Sequence, residues 1–194
     1  MNLSSRWCVT AAVALGALSC SDPVPPAAQG AFIVTIGSAG LAAGKACPSG
    51  ASSTFDVPAV RNTNLVEALS SSTYLHSAID GQGDAKVSCS VKGSSSYTFS
   101  GRLSSQGKVL EFSDGTLSNN MMGTARVTLA NSQILSGALS STTADCTIKV
   151  VTNSKGTQVK AGSIWAEFTC PSLERAPSDA CNASGTFVFE NCSE

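Results

Sequence analysis

Residues 162–170 read Gly162-Ser163-Ile164-Trp165-Ala166-Glu167-Phe168-Thr169-Cys170, and the alternation in this stretch decides the fold class. Successive side chains of a β-strand point to opposite faces, so Ile164, Ala166, Phe168 and Cys170 share one face and Trp165 shares the other with Glu167. The same pattern recurs along the chain. Lys86-Val87-Ser88-Cys89-Ser90-Val91 places Cys89 with Val87 and Val91, and Cys146-Thr147-Ile148-Lys149-Val150 places Cys146 with Ile148 and Val150. Strands are expected at 31–36, 85–92, 97–103, 109–112, 123–130, 134–139, 145–152, 162–170 and 185–190, with Gly, Ser and Asn clusters as the turns between them. Strands at such regular short intervals predict an all-β fold, an antiparallel β-sandwich or barrel-like domain.

One segment departs from this rhythm. Gly37 to Gly83 reads as a single long loop in the N-terminal half, with one helical turn at Asn64–Leu69 that Asn64 would cap and Glu67 would support. Long loops are commonly functional, which makes this segment a place for a recognition surface.

The chain has 194 residues, of which 13% are charged, with 12 basic residues against 13 acidic ones and a single histidine. Ser and Thr supply 48 residues and coat the solvent faces of the strands. A near-neutral chain without a basic run is not a nucleic-acid binder, because that affinity comes from Lys and Arg neutralising phosphates. One histidine excludes His-rich metal sites.

Of the eight cysteines, Cys8 and Cys20 fall in the first twenty residues. The other six, Cys47, Cys89, Cys146, Cys170, Cys181 and Cys192, are an even set, which in an exported chain predicts three disulfides. No C-x-x-C pair exists, so neither a zinc site nor a redox dithiol is expected. The expected pairing joins Cys170 to Cys181 across the loop 171–180 and leaves Cys47, Cys89, Cys146 and Cys192 for the other two bridges.

At the N-terminus, Arg6 precedes the apolar run Val9–Leu18, the layout of a secretory signal and too short to span a bilayer. Ala17-Leu18-Ser19-Cys20 resembles the lipobox of bacterial lipoprotein precursors, in which the cysteine is lipidated and becomes the mature N-terminus. Ala17 stands where Leu is usual, which leaves conventional cleavage near Ser19 as the alternative. The resemblance implies a signal peptide over 1–19, a Pro-rich tether over 20–30 and a β domain over 31–194. It also implies a membrane anchor of several acyl chains such as palmitate on Cys20, and Ser21 implies the outer membrane. Without Arg6 the remaining chain has 11 basic and 13 acidic residues, so membrane contact is expected through lipid alone.

Chemistry is sparse. His76 is the one side chain with an ordinary pKa near neutrality, and no G-x-S-x-G elbow accompanies it. Asp80-Gly81-Gln82-Gly83-Asp84 spaces its oxygens like a calcium loop but lacks the expected Gly at Ala85 and Glu at Val91, so a Gly-rich turn is expected. Trp165 beside Glu167 is a ligand contact of the sugar-stacking kind if exposed; a covered second face is the blander expectation.

Over nearly its full length the chain resembles the small cysteine-rich lipoproteins of myxobacteria. The resemblance rests on Cys20-Ser21-Asp22-Pro23-Val24-Pro25-Pro26, Val87-Ser88-Cys89, Gly162–Cys170 and Gly185-Thr186-Phe187-Val188-Phe189-Glu190-Asn191-Cys192. That resemblance implies no activity, ligand or catalytic residue. The expectation is a lipid-anchored cell-envelope protein, a binding or structural module for a glycan or protein, without cofactor, metal or catalysis. The alternatives are a secreted hydrolase using His76 or a carboxylate pair, and an inhibitor or immunity-type protein binding another protein through the Gly37–Gly83 loop.

Overall fold

The computed structural model describes residues 24–48, 52–57, 77–153, 156–176 and 178–194, and among these the secondary structure is strand throughout. In chain order the strands are β1 (Gln29–Gly37), β2 (Ser52–Val57), β3 (Ala78–Ile79), β4 (Lys86–Gly93), β5 (Tyr97–Ser105), β6 (Lys108–Leu117), β7 (Met122–Asn131), β8 (Leu139–Ser140), β9 (Cys146–Val150), β10 (Thr152–Asn153), β11 (Gly156–Thr157), β12 (Val159–Lys160), β13 (Ser163–Ala176) and β14 (Asp179–Glu190). The expected all-β antiparallel fold is what forms. One large sheet runs β2-β1-β14-β13, passes through β9 and β8 to β7, and ends β6-β5-β4.

The sheet folds back on itself around the apolar faces read from the sequence. Phe112 of β6 lies 4.1 Å, ring to ring, from Phe187 of β14 and 5.4 Å from Phe168 of β13. Gly101 of β5 permits this approach, since a Cβ there would sit 2.7 Å from the Phe189 ring. The last strand, β4, is sealed to the opposite half. The Val91 N–H donates to Ser193 O at 3.0 Å, the Gly162 N–H donates to Val91 O at 3.0 Å, and the Ser193 N–H donates to Cys89 O at 3.0 Å. Lys108 at the start of β6 donates to the Asp56 carbonyl of β2 at 2.8 Å, a second clasp between the halves.

Three bridges form, but not in the expected pairing. Cys47 joins Cys181, Cys89 joins Cys192, and Cys146 joins Cys170. The Cys170–Cys181 expectation fails on register. Across the β13–β14 ladder Cys170 faces Ala183 and Cys181 faces Leu173, whereas on the other side of β13 the Thr169–Thr147 pairing puts Cys170 beside Cys146.

Two further expectations change. The Gly37–Gly83 segment is not one loop: Ser52–Val57 pairs with β1, burying Phe55 and Val57, and Ala78–Ile79 pairs with its start. The strand expected at 134–139 shrinks to Leu139, which opens β8; residues 132–134 turn, because the Asn131 side chain accepts the Gln133 N–H at 3.0 Å and its carbonyl accepts the Leu135 N–H at 2.8 Å. The helical turn expected at Asn64–Leu69 lies outside the described residues, as do the signal segment, Cys20 and His76.

Candidate functional site

The outward residues of β13 meet different surroundings. Trp165 pairs with Val188, which pairs with Ala31, and these three form a small cluster apart from the main core with Val151 packed against it. The chain leaves the sheet at Val151, makes the β10–β11 hairpin and returns at Gln158. Both of those residues are hydrogen-bonded to the Trp165 backbone. The ring is therefore covered, with 3% exposure, and is not offered as a stacking platform. Glu167 stays exposed, opposite Lys149 on one side and Thr186 on the other. The structure thus separates the two residues that the sequence placed together.

Asp80 and Asp84 act as clasps. Asp80 Oδ1 accepts the Val87 N–H at 2.9 Å, while Asp84 accepts the Ser105 hydroxyl at 2.7 Å and the Gln106 N–H at 2.6 Å. Gln106 and Gly107 both have positive φ, 53° and 72°, as the two-residue turn joining β5 to β6 requires. Asp84 thus holds a non-glycine residue in the left-handed region. The Ser105 hydroxyl first, and the Gln106 amide second, keep its carboxyl below the ordinary range. Asp80 is engaged by β4 and Asp84 by the β5–β6 turn, and among the described residues no group of three His, Cys, Asp or Glu is placed to hold a metal. Beside this clasp lies an open groove of about 780 Å³ bounded by Asp80, Asp84, Lys86, Arg102 and Ser104.

Several other carboxylates face cations rather than one another. Glu111 pairs with Arg102, Asp114 with Arg126, Asp56 with Lys108, Glu174 with Lys45 and Asp179 with Arg175. The Lys45 ammonium holds the Glu174 carboxyl below its ordinary value, with help from the Ser172 hydroxyl. Four of these pairs join two strands, and the fifth ties Glu174 of β13 to Lys45 in the connection after β1.

Two features did emerge that single strands cannot reveal. The first is the docking of the tether. Val24 is 89% exposed, yet the Ala27 carbonyl accepts Asn191 Nδ2 at 3.0 Å, the Ala28 carbonyl accepts the Asp80 N–H at 2.9 Å, and Gln29 donates to Glu190 at 2.6 Å. Pro25 and Pro26 border a groove of about 400 Å³ with Lys160, Gly162, Glu190 and Glu194.

The second feature is a row of hydroxyls across the outer face of the sheet. Register pairs Thr98 with Thr116, Thr116 with Thr124, Thr124 with Thr147, Thr147 with Thr169, Thr169 with Ser184, Ser184 with Thr35 and Thr35 with Thr54. All are exposed except the half-buried Thr35, whose hydroxyl meets that of Thr54 at 2.8 Å. Hydroxyls both donate and accept hydrogen bonds, so a continuous row of them is a polar surface without charge. Outward Thr was legible in the sequence; the alignment of eight strands into one row required the register. Comparison of the chain with protein-family models, with curated proteins and with solved structures finds no match.

Proposed function

We propose that this chain is an exported, lipid-anchored protein of the cell envelope, attached to the outer membrane through Cys20, whose β domain is a non-catalytic binding or structural module. One observation carries the reading: all six cysteines after Cys20 are consumed in pairs. Such a set suits an oxidising compartment and leaves Cys20 as the one thiol of the exported chain available for lipid. The docked tether adds to it. From Cys20 to the first pinned residue, Ala27, an extended chain reaches about 25 Å at most, so the domain is held close to the surface that holds the lipid.

The ligand of the module is proposed to be a glycan or a protein met through the hydroxyl row, since Trp165 is covered. Metabolic labelling with a fatty-acid probe tests the anchor. Wild type should take up label and sediment with membranes, and Cys20→Ala should do neither; equal labelling of the two proteins overturns the reading. A glycan array probed with wild type and Thr147→Lys tests the surface. Binding that Thr147→Lys weakens supports the row, and binding that this variant leaves unchanged removes it from the account.

A further inference from the structure

The bridges connect the six cysteines first to fifth, second to sixth and third to fourth, so that only Cys146–Cys170 joins neighbours in the chain. Chain statistics favour other pairs. The chance that two points of an unfolded chain meet falls as roughly the three-halves power of their separation. Cys181 stands 11 positions from both Cys170 and Cys192 but 134 from its native partner Cys47. It therefore meets either near neighbour roughly 40-fold more often than Cys47. Cys47 in turn meets Cys89 about sixfold more often than it meets Cys181.

Direction of export worsens the bias. Cys47 and Cys89 leave more than 90 residues ahead of Cys181 and Cys192, on the order of 5–20 s at ordinary synthesis rates. None of the favoured early pairs fits the fold. Cys170 faces Ala183 and Cys181 faces Leu173, so a Cys170–Cys181 bridge must be undone before β13 and β14 take their native register.

We propose that this chain is a substrate of a thiol–disulfide isomerase in its compartment. The proposal rests on the export reading above. A protein disulfide oxidase first removes two electrons and two protons for each bridge made. The isomerase step is redox-neutral. Its thiolate attacks Cys181 Sγ of the Cys170–Cys181 bond and forms a mixed disulfide, and Cys170 leaves as a thiolate that takes up a proton. The Cys47 thiolate then attacks Cys181 Sγ, which gives Cys47–Cys181 and returns the isomerase thiolate. Cys170 is left for Cys146 and the oxidase. Misbridged chains expose Phe168, Phe187 and Phe189, apolar surface for the isomerase to hold. Native chains bury all three rings together with Cys146, Cys170 and Cys181, which ends the encounter.

The full-length chain with its own signal is expressed in bacteria that have or lack their envelope isomerase. The envelope fraction is alkylated and digested with trypsin plus a Glu-specific protease. Cuts at Arg175 and Glu190 separate the peptides of Cys170, Cys181 and Cys192. The three native linkages should dominate with the isomerase and fall several-fold without it, replaced by Cys170–Cys181, Cys181–Cys192 or Cys47–Cys89 peptides. Equal native linkage in both strains overturns the proposal and leaves export standing. A chain found only in the cytoplasm, with free thiols, overturns the export reading and this proposal with it. In vitro, reduced full-length chain refolded with oxidant alone should yield several-fold less native linkage than with oxidant plus catalytic isomerase. Equal yields there also overturn it.

Discussion

The β4–β7 meander and the β13–β14 hairpin are built from similar strands but are held in place by different means. In the meander each strand pairs with the next in sequence, tight turns set the register, and the one bridge to it, from Cys89, leads out of it. The hairpin and the residues just after it carry a cysteine of every bridge: Cys170, Cys181 and Cys192 reach back to Cys146, Cys47 and Cys89. Local sequence organises the first region, and covalent long-range links organise the second. The lesson is that the C-terminal hairpin serves as the hub onto which the earlier elements are stapled.

Removing a staple should therefore have the largest effect. By chain entropy, a bridge closing 134 residues stabilises by about 5 kcal/mol and one closing 24 by about 3.5 kcal/mol. The double variant Cys47→Ala with Cys181→Ala should lose more stability in urea unfolding than Cys146→Ala with Cys170→Ala. Cys146 and Cys170 are fully buried, so the reverse order would show that packing around the bridge outweighs the constraint on the unfolded chain.

Next comes the seam where the two regions meet. Phe187 of the hairpin touches Phe112 and Phe99 of the meander, with ring centroids 4.1 and 6.2 Å apart. Phe187→Ala should cost about 3–5 kcal/mol. If the regions fold as one unit, fluorescence and far-UV circular dichroism will report one common transition. A meander that stays folded after the hairpin melts would break the comparison into two domains.

The two regions also differed in how far sequence could describe them. The meander was readable because period-2 alternation and Gly- or Ser-rich turns are local signals; Tyr97–Leu103 and Gly123–Ala130 lie within the strands that form. β2 was missed although Thr54-Phe55-Asp56-Val57 alternates correctly, because its partner β1 lies across the connection 38–51, where Gly40, Gly44 and Pro48 signal repeated turns and read as loop, not as one hairpin. The cysteine faces were legible from parity, and the pairing was not. Parity says which way a sulfur points, whereas the partner depends on which strands become neighbours. Trp165 shows the same limit. Its face was correct, but the cover that Val151 supplies depends on where the chain goes after β9.

The smallest effect distinguishes the regions by charge. Asp84 clasps the meander's β5–β6 turn through hydrogen bonds from Ser105 and Gln106, while Glu174 ties the hairpin to Lys45. Both carboxyls titrate below their ordinary values in the folded chain. Each therefore adds stability that is present above the unfolded carboxylate pKa and is lost as pH falls through the folded value, which places the loss below about pH 4. Asp84 is exposed and Glu174 only half-buried at the surface, so the loss is small. Melting temperature measured from pH 7 to pH 3 should fall less steeply in Asp84→Asn and in Glu174→Gln than in wild type. Salt should then divide them. About 0.5 M NaCl weakens the half-buried Lys45–Glu174 pair and should shrink the difference between Glu174→Gln and wild type. The difference for Asp84→Asn should survive, because it comes from two neutral donors at close range. Equal salt sensitivity at the two sites would mean that net charge, and not the turn clasp, governs the acid limb.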